Sequence, residues 1–137
     1  MVSIKGRGLQ GEVEGEALVL PRSFTFFGGV DWNTGRLTVG DPELDGQSIT
    51  GRIFVFKAPS GGQGTAWKVG EMVRNGSAPA GIVVHRSNSV IVSGCIMGKV
   101  PLVADTDMDP TEQFHTGDIL RVNGRAGTVE LVKKAQA

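Results

Sequence analysis

Cysteine, tyrosine, net charge and long apolar runs are scarce or missing in this chain of 137 residues, and each absence closes off a class of protein. The single cysteine, Cys95, excludes an internal disulfide. Tyrosine is absent altogether. Lys plus Arg and Asp plus Glu number 14 each, so no net field draws the chain to nucleic acid or an anionic membrane. No apolar run approaches the roughly 20 residues that cross a bilayer. No secretory leader is visible, and a cytoplasmic protein is the expectation. The length suits one domain, residues 1–137, with enough chain to bury a core.

Glycine, by contrast, is abundant at 21 residues, while helical periodicity is confined to one or two places. That profile predicts short strands joined by tight turns. The centre of the pattern is 52–80. Ile53–Phe56 is apolar, β-branched and aromatic, the signature of a buried strand. Gly61, Gly62 and Gly64 follow, with Gln63 between them, and let the backbone turn sharply beside Ser60. Thr65 can cap the next segment, in which Ala66, Val69, Met72 and Val73 recur at helical spacing until Gly76. Strand, glycine-rich loop and helix start together form the kind of backbone that holds an anion. A tight turn that needs glycine for geometry alone is the structural alternative.

Around this centre, 3–9 and Glu12–Leu20 alternate polar and apolar residues about Gln10-Gly11, which predicts a hairpin. Val13, Ala17 and Val19 would face the core, and Glu12, Glu14 and Glu16 the solvent. Phe24-Thr25-Phe26-Phe27 then runs into Gly28-Gly29-Val30-Asp31-Trp32-Asn33. Asp31, beside backbone bare of side chains at Gly28 and Gly29, is positioned to meet a ligand, or simply to form an Asx turn. Beyond the first helix come a strand over 80–84, an apolar segment over Ser89–Gly98 that reads as a helix capped by Asn88 or Ser89 in preference to a buried strand, and a strand over 100–104. A final hairpin turns at Asn123-Gly124.

Several chemistries fail on these residues. No Gly-Lys-Ser/Thr closes the glycine loop, so the nucleotide-hydrolase phosphate loop is absent, and the dinucleotide pattern lacks its third glycine. His85 and His115 have no partners at zinc-ligand spacing. The aspartates at 105, 107 and 109 lack the glycine and glutamate of a calcium loop. No Gly-x-Ser-x-Gly elbow supports a serine triad. Cys95, among apolar neighbours, reads as buried and inert.

The order of blocks resembles two groups of swivelling β/β/α domains. Residues 80–132 look like the phosphohistidine domain of phosphoenolpyruvate-utilising enzymes, but Val90 stands where the phosphorylated histidine should follow Ser89. Phosphoryl transfer is therefore rejected and only the fold likeness kept. Nearly the whole chain resembles the small subunit, or swivel domain, of the aconitase X family. The matching blocks are Phe27-Gly28-Gly29-Val30-Asp31 with Thr34-Gly35, Leu44-x-Gly46-x-Ser48-Ile49-x-Gly51-Arg52, Gly76-x-Ala78-Pro79-Ala80-Gly81-Ile82, and Gly94-Cys95-Ile96-Met97-Gly98-Lys99-Val100-Pro101.

That resemblance implies a β-rich α/β fold of short, barrel-like sheets with one or two helices. It also implies a hydro-lyase active only as a heterodimer, or higher assembly, with a large subunit. The large subunit would carry an iron–sulfur cluster, and this chain would bind no cofactor or metal. The expected substrate is a small hydroxy acid, hydroxyproline-like or phosphomevalonate. By the same resemblance Ser60 or Thr65 is the base, and Gly28, Gly29, Asp31, Gly61, Gly62, Gln63 and Gly64 contact the substrate. The loop departs from the family in having Gln63 for a basic residue and Thr65 for a serine. The lost cation ranks phosphomevalonate below an unphosphorylated acid. A non-catalytic binding or assembly module on the same scaffold is the competing expectation.

Overall fold

The structure, a computed structural model, describes residues 3–60 and 65–135. Its centre is four parallel strands: the second half of β3 (Glu12–Leu20), β4 (Ile53–Phe56), β5 (Gly81–Val84) and β6 (Leu102–Ala104). Two crossover helices, α1 (Thr65–Asn75) and α2 (Ser89–Gly98), link the last three strands and pack against one another. Both faces of these strands are covered, which is why they read as unbroken apolar runs. Phe54 and Phe56 point to the helices with Val69, Met72, Ile91 and Cys95, whereas Ile53 and Val55 point to the opposite layer. The second layer comes from β7 (Ile119–Asn123) and β8 (Thr128–Lys133), together with Phe114 behind the short helix α3 (Pro110–Gln113).

The hairpin expected between 3–9 and Glu12–Leu20 does not form. Residues 3–9 split at Gly6 into β1 (Ser3–Lys5), antiparallel to β8, and β2 (Arg7–Leu9), antiparallel to β6. The eight strands run β1-β8-β7-β3-β4-β5-β6-β2. One short segment therefore holds both ends of the sheet and draws it toward closure. Glycine permits the crossing: the Gly6 amide donates to the Gly127 carbonyl, and a Cβ at Gly6 would run into the Ala104 carbonyl. Alternation identified the strand and its faces but carried no information about a distant partner.

Other expectations match. Val13, Ala17 and Val19 join one core layer, and Glu12, Glu14 and Glu16 are exposed, with Arg121 pairing to Glu12 and Glu14. Asn88 caps α2 by accepting from the Ile91 amide at 3.0 Å. The helix ends at Gly98, but the left-handed capping residue is Lys99, with φ 56°. Gly98 serves packing: a Cβ there would stand 3.0 Å from Val73 Cγ2 at the contact between the helices. Val73 itself is 39% exposed, at the edge of the expected apolar stripe. The carboxyl-terminal turn spans four residues, with Asn123 Oδ1 accepting from the amides of Arg125 and Ala126. Helix α3 is one more helix than expected, begun by Asp109 accepting from Thr111 and by Pro110 in the first turn.

Candidate functional site

Past its last residue β4 continues as an extended segment, and residues 22–24 run parallel beside it. Lys57 donates to the Arg22 carbonyl, Phe24 to Ala58, and Ser60 to Phe24, at 3.2, 2.9 and 2.8 Å. Phe24 anchors this pairing. Its ring is buried, edge-on to Phe26 and Phe54 at centroid distances of 4.9 and 4.8 Å. Ser60 is thereby held, exposed, at the carboxyl end of a central parallel strand, the edge at which open α/β sheets receive ligands.

An open cavity of about 310 Å³ lies there, lined among others by Arg22, Thr25, Gly28, Gly29, Thr38 and Ser60. Ser60, Gly28 and Gly29, far apart in the chain, thus come to one cleft. The two glycines differ physically. Gly28 has φ 88° and, among the described residues, open space where a side chain would stand, so a ligand can approach its backbone closely. A Cβ at Gly29 would run into the Thr25 carbonyl oxygen and come within 2.8 Å of the Phe24 ring, so its smallness serves the wall itself.

Asp31 is not part of this cleft. It lines the adjoining hollow, which shares Thr38 with the first, and its carboxylate accepts from the amides of Asn33 and Thr34 at 2.8 and 3.3 Å. This is the Asx turn, and it uses the carboxylate to hold the loop. Residues Gly61, Gly62, Gln63 and Gly64 lie outside the described residues. Thr65 opens α1, but its side chain is likewise outside the description.

Sequence reasoning missed two features. Arg22 lines the cleft, its Nη2 3.3 Å from Asp41 Oδ2. Nothing in the local pattern separates it from any surface arginine. Lys68 is almost fully buried, its ammonium 3.6 Å from the Trp32 ring centroid, 4.8 Å from that of Trp67 and 3.0 Å from Glu71 Oε2. Phe27 stands edge-on to Trp32, whose indole N–H donates to the Phe26 carbonyl at 2.6 Å. This cation–aromatic stack ties the start of α1 to the loop that forms the cleft wall.

The remaining candidates are occupied elsewhere. His85 Nδ1 contacts the Thr106 hydroxyl at 3.0 Å. Asp105 accepts from the Ser87 amide and hydroxyl, both at 3.0 Å, and the Ser87 amide bond is the main cause that holds its carboxyl below the usual range. Cys95 is completely buried, and burial pushes its thiol up to about 12. Among the described residues no group of three or more His, Cys, Asp or Glu side chains is placed to hold a metal ion. With one cysteine, protonated and enclosed, this chain does not fit an iron–sulfur cluster.

Comparison with known proteins converges on one family. The family model for the aconitase X swivel domain matches residues 3–131. The phosphomevalonate dehydratase small subunit of Pyrococcus abyssi is 34% identical over 132 residues, 96% of this chain and 99% of the relative. That of Methanopyrus kandleri is 37% identical over 110 residues, 80% of this chain and 82% of the relative. The crystal structure of Thermococcus kodakaraensis aconitase X in its holo-form superposes with a TM-score of 0.87 at 32% identity, covering 97% of this chain and all of that one. The solution structure of a UPF0107 protein also reaches 0.87, at 35% identity over 96% of this chain and all of that one.

Proposed function

This chain belongs to the aconitase X swivel-domain family, and on that premise we propose that Ser60, Gly28 and Gly29 form its substrate-facing wall. The chain is the small subunit of a two-chain dehydratase and works with a large subunit. The observation that carries the site is the convergence of Ser60 with Gly28 and Gly29 at the carboxyl end of β4.

Dehydration breaks a C–H bond and the neighbouring C–O bond. In this reading the chain contributes the first half: a hydroxyl of Ser60 or Thr65, acting as its alkoxide, accepts the carbon-bound proton. The backbone at Gly28 lets the substrate approach closely, and residues 61–64 are assigned anion contacts on sequence pattern alone. The iron–sulfur cluster expected in this family belongs to the large subunit in this reading, because the side chains here do not suit one. Asp31 supports the site from the adjoining loop. The substrate is a small hydroxy acid. The names of the curated relatives favour phosphomevalonate over the hydroxyproline-like acid that Gln63 suggested.

The test is reconstitution. This chain mixed with its large subunit is expected to dehydrate phosphomevalonate, with loss of turnover by orders of magnitude in Ser60→Ala or Thr65→Ala. Full turnover in both variants would remove the base from this chain. Binding without turnover in the wild-type pair would favour a non-catalytic module on the same scaffold.

A further inference from the structure

The cleft that holds Ser60 has one charged side chain among its described lining residues, Arg22. The rest of its polar character is hydroxyl and backbone. Thr25 Oγ1 accepts from the Phe27 amide at 3.1 Å, which leaves its proton to donate elsewhere, while Thr38 spends its own proton on the Gly28 carbonyl at 2.8 Å. An arginine whose carboxylate partner, Asp41, does not line the cleft, set beside hydroxyls and bare glycine backbone, selects an anionic group.

Arg22 is held ready without being committed. Its backbone is fixed from both sides, its N–H on Leu20 and its carbonyl under Lys57. Its ion-pair partner among the described residues, Asp41, is 3.3 Å away, and the two side chains are 49% and 31% exposed. An exposed pair of that kind is weak and is given up at little cost when a better acceptor arrives. Asp41 stays occupied after such an exchange, since its Oδ1 already accepts from the Glu43 amide at 2.9 Å.

We infer that Arg22 is the specificity-determining residue of this cleft, and that it binds the carboxylate or phosphate of the substrate by exchanging Asp41 for it. The inference rests on the reading above of where the substrate sits. It also reconciles a neutral Gln63 with a phosphorylated substrate, since a cation arrives from a different part of the chain.

The experiment is a ¹⁵N–¹H titration of the full chain with inorganic phosphate and, separately, with acetate. Shifts are expected at the Arg22 Nε–H and the Gly28 amide. Saturation by phosphate at the lower concentration points to a phosphate group, and by acetate to a carboxylate. Arg22→Gln should weaken the binding roughly tenfold or more, the share of one charge-assisted hydrogen bond. Arg22→Lys should recover part of it, and Asp41→Asn, which removes the competitor, should tighten it. An unchanged titration of the Gly28 amide in Arg22→Gln, or no shift at either position of the wild-type chain with either anion, would overturn the assignment. Because the titration needs no turnover, it can fail while the reconstituted pair dehydrates substrate, and succeed while the pair does nothing.

Discussion

Gly28 and Gly29 are adjacent and both line the cleft, yet the structure predicts opposite reasons for them and different penalties for replacing them. At Gly29 an added Cβ meets the Thr25 carbonyl oxygen and stands 2.8 Å from Phe24 Cε1 and 3.2 Å from Cδ1. Neither neighbour can yield easily. The carbonyl is backbone, and the Phe24 ring is clamped between Phe26 and Phe54. Overpacking at a rigid site costs about 2–3 kcal/mol. For a chain of this length that lowers Tm by about 7–10 °C. At Gly28 none of the described residues lies within 4 Å of the added Cβ, and the cost is the φ of 88° alone. A β-carbon in left-handed backbone costs about 1–2 kcal/mol, part of which is offset by the lower entropy of the unfolded alanine chain. The expected loss is about 1 kcal/mol, or about 3–4 °C. Thermal unfolding of the two variants beside wild type, followed by circular dichroism, makes the comparison. Gly29→Ala unfolding within a degree of wild type, or Gly28→Ala proving the more damaging, would refute the packing argument for this wall.

The buried thiol of Cys95 should react with a disulfide reagent at pH 8 far more slowly in the native chain than in denaturant, as followed by absorbance. Because burial raises its pKa to about 12 from an ordinary 9.0, its contribution to stability is whole below pH 9 and declines as pH rises toward 12. Asp105 shifts the other way, held down chiefly by the Ser87 amide, so its contribution is present above the ordinary carboxylate value of 3.8 and fades as pH falls through the lower folded value. Asp105→Asn, tolerable at φ 53°, should therefore lower stability at pH 7 in urea titrations, with the gap to wild type closing below pH 3.8. Lys68→Met keeps the stem but removes the cation between Trp32, Trp67 and Glu71. A loss of about 1–2 kcal/mol and a change in tryptophan fluorescence are expected, and unaltered values of both would count against the stack as a tie between α1 and the loop.

Local grammar carried much of this fold. The run at Ile53–Phe56, the helical spacing after Thr65, Asn88 before an apolar segment, and the alternation at Ile119–Asn123 each led to the element that forms there. In every case the information sits within a few residues of its use: a side-chain period, a cap or a turn. Helix α3 escaped because four residues are too short to show a period, although Asp109-Pro110 marks its start. The false hairpin arose from the same locality. Residues 3–9 have the right alternation, but their hydrogen-bond partners are more than ninety residues away, and Gly6 spends its freedom on crossing between two sheet edges rather than on turning back.

The site divides along the same line. Ser60 and the bare backbone at Gly28 and Gly29 stand out in the sequence because glycine clusters and block order are written in consecutive letters. Which of them share a cleft is a matter of packing: the bond from Ser60 to Phe24, buried under an aromatic cluster, joins two segments that no periodicity links. Packing also set Asp31 in its own turn and brought in Arg22. By itself the sequence determined the strands from Glu12 onward, the two long helices, the family and the exclusion of a metal centre built from its own cysteines, all of which follow from local composition and order. Only the tertiary structure decided that residues 3–9 hold both edges of the sheet, and that Arg22, from before the first glycine pair, lines the cleft where Ser60 emerges. Those placements depend on contacts between distant segments, and free energy of that kind leaves no mark on neighbouring letters.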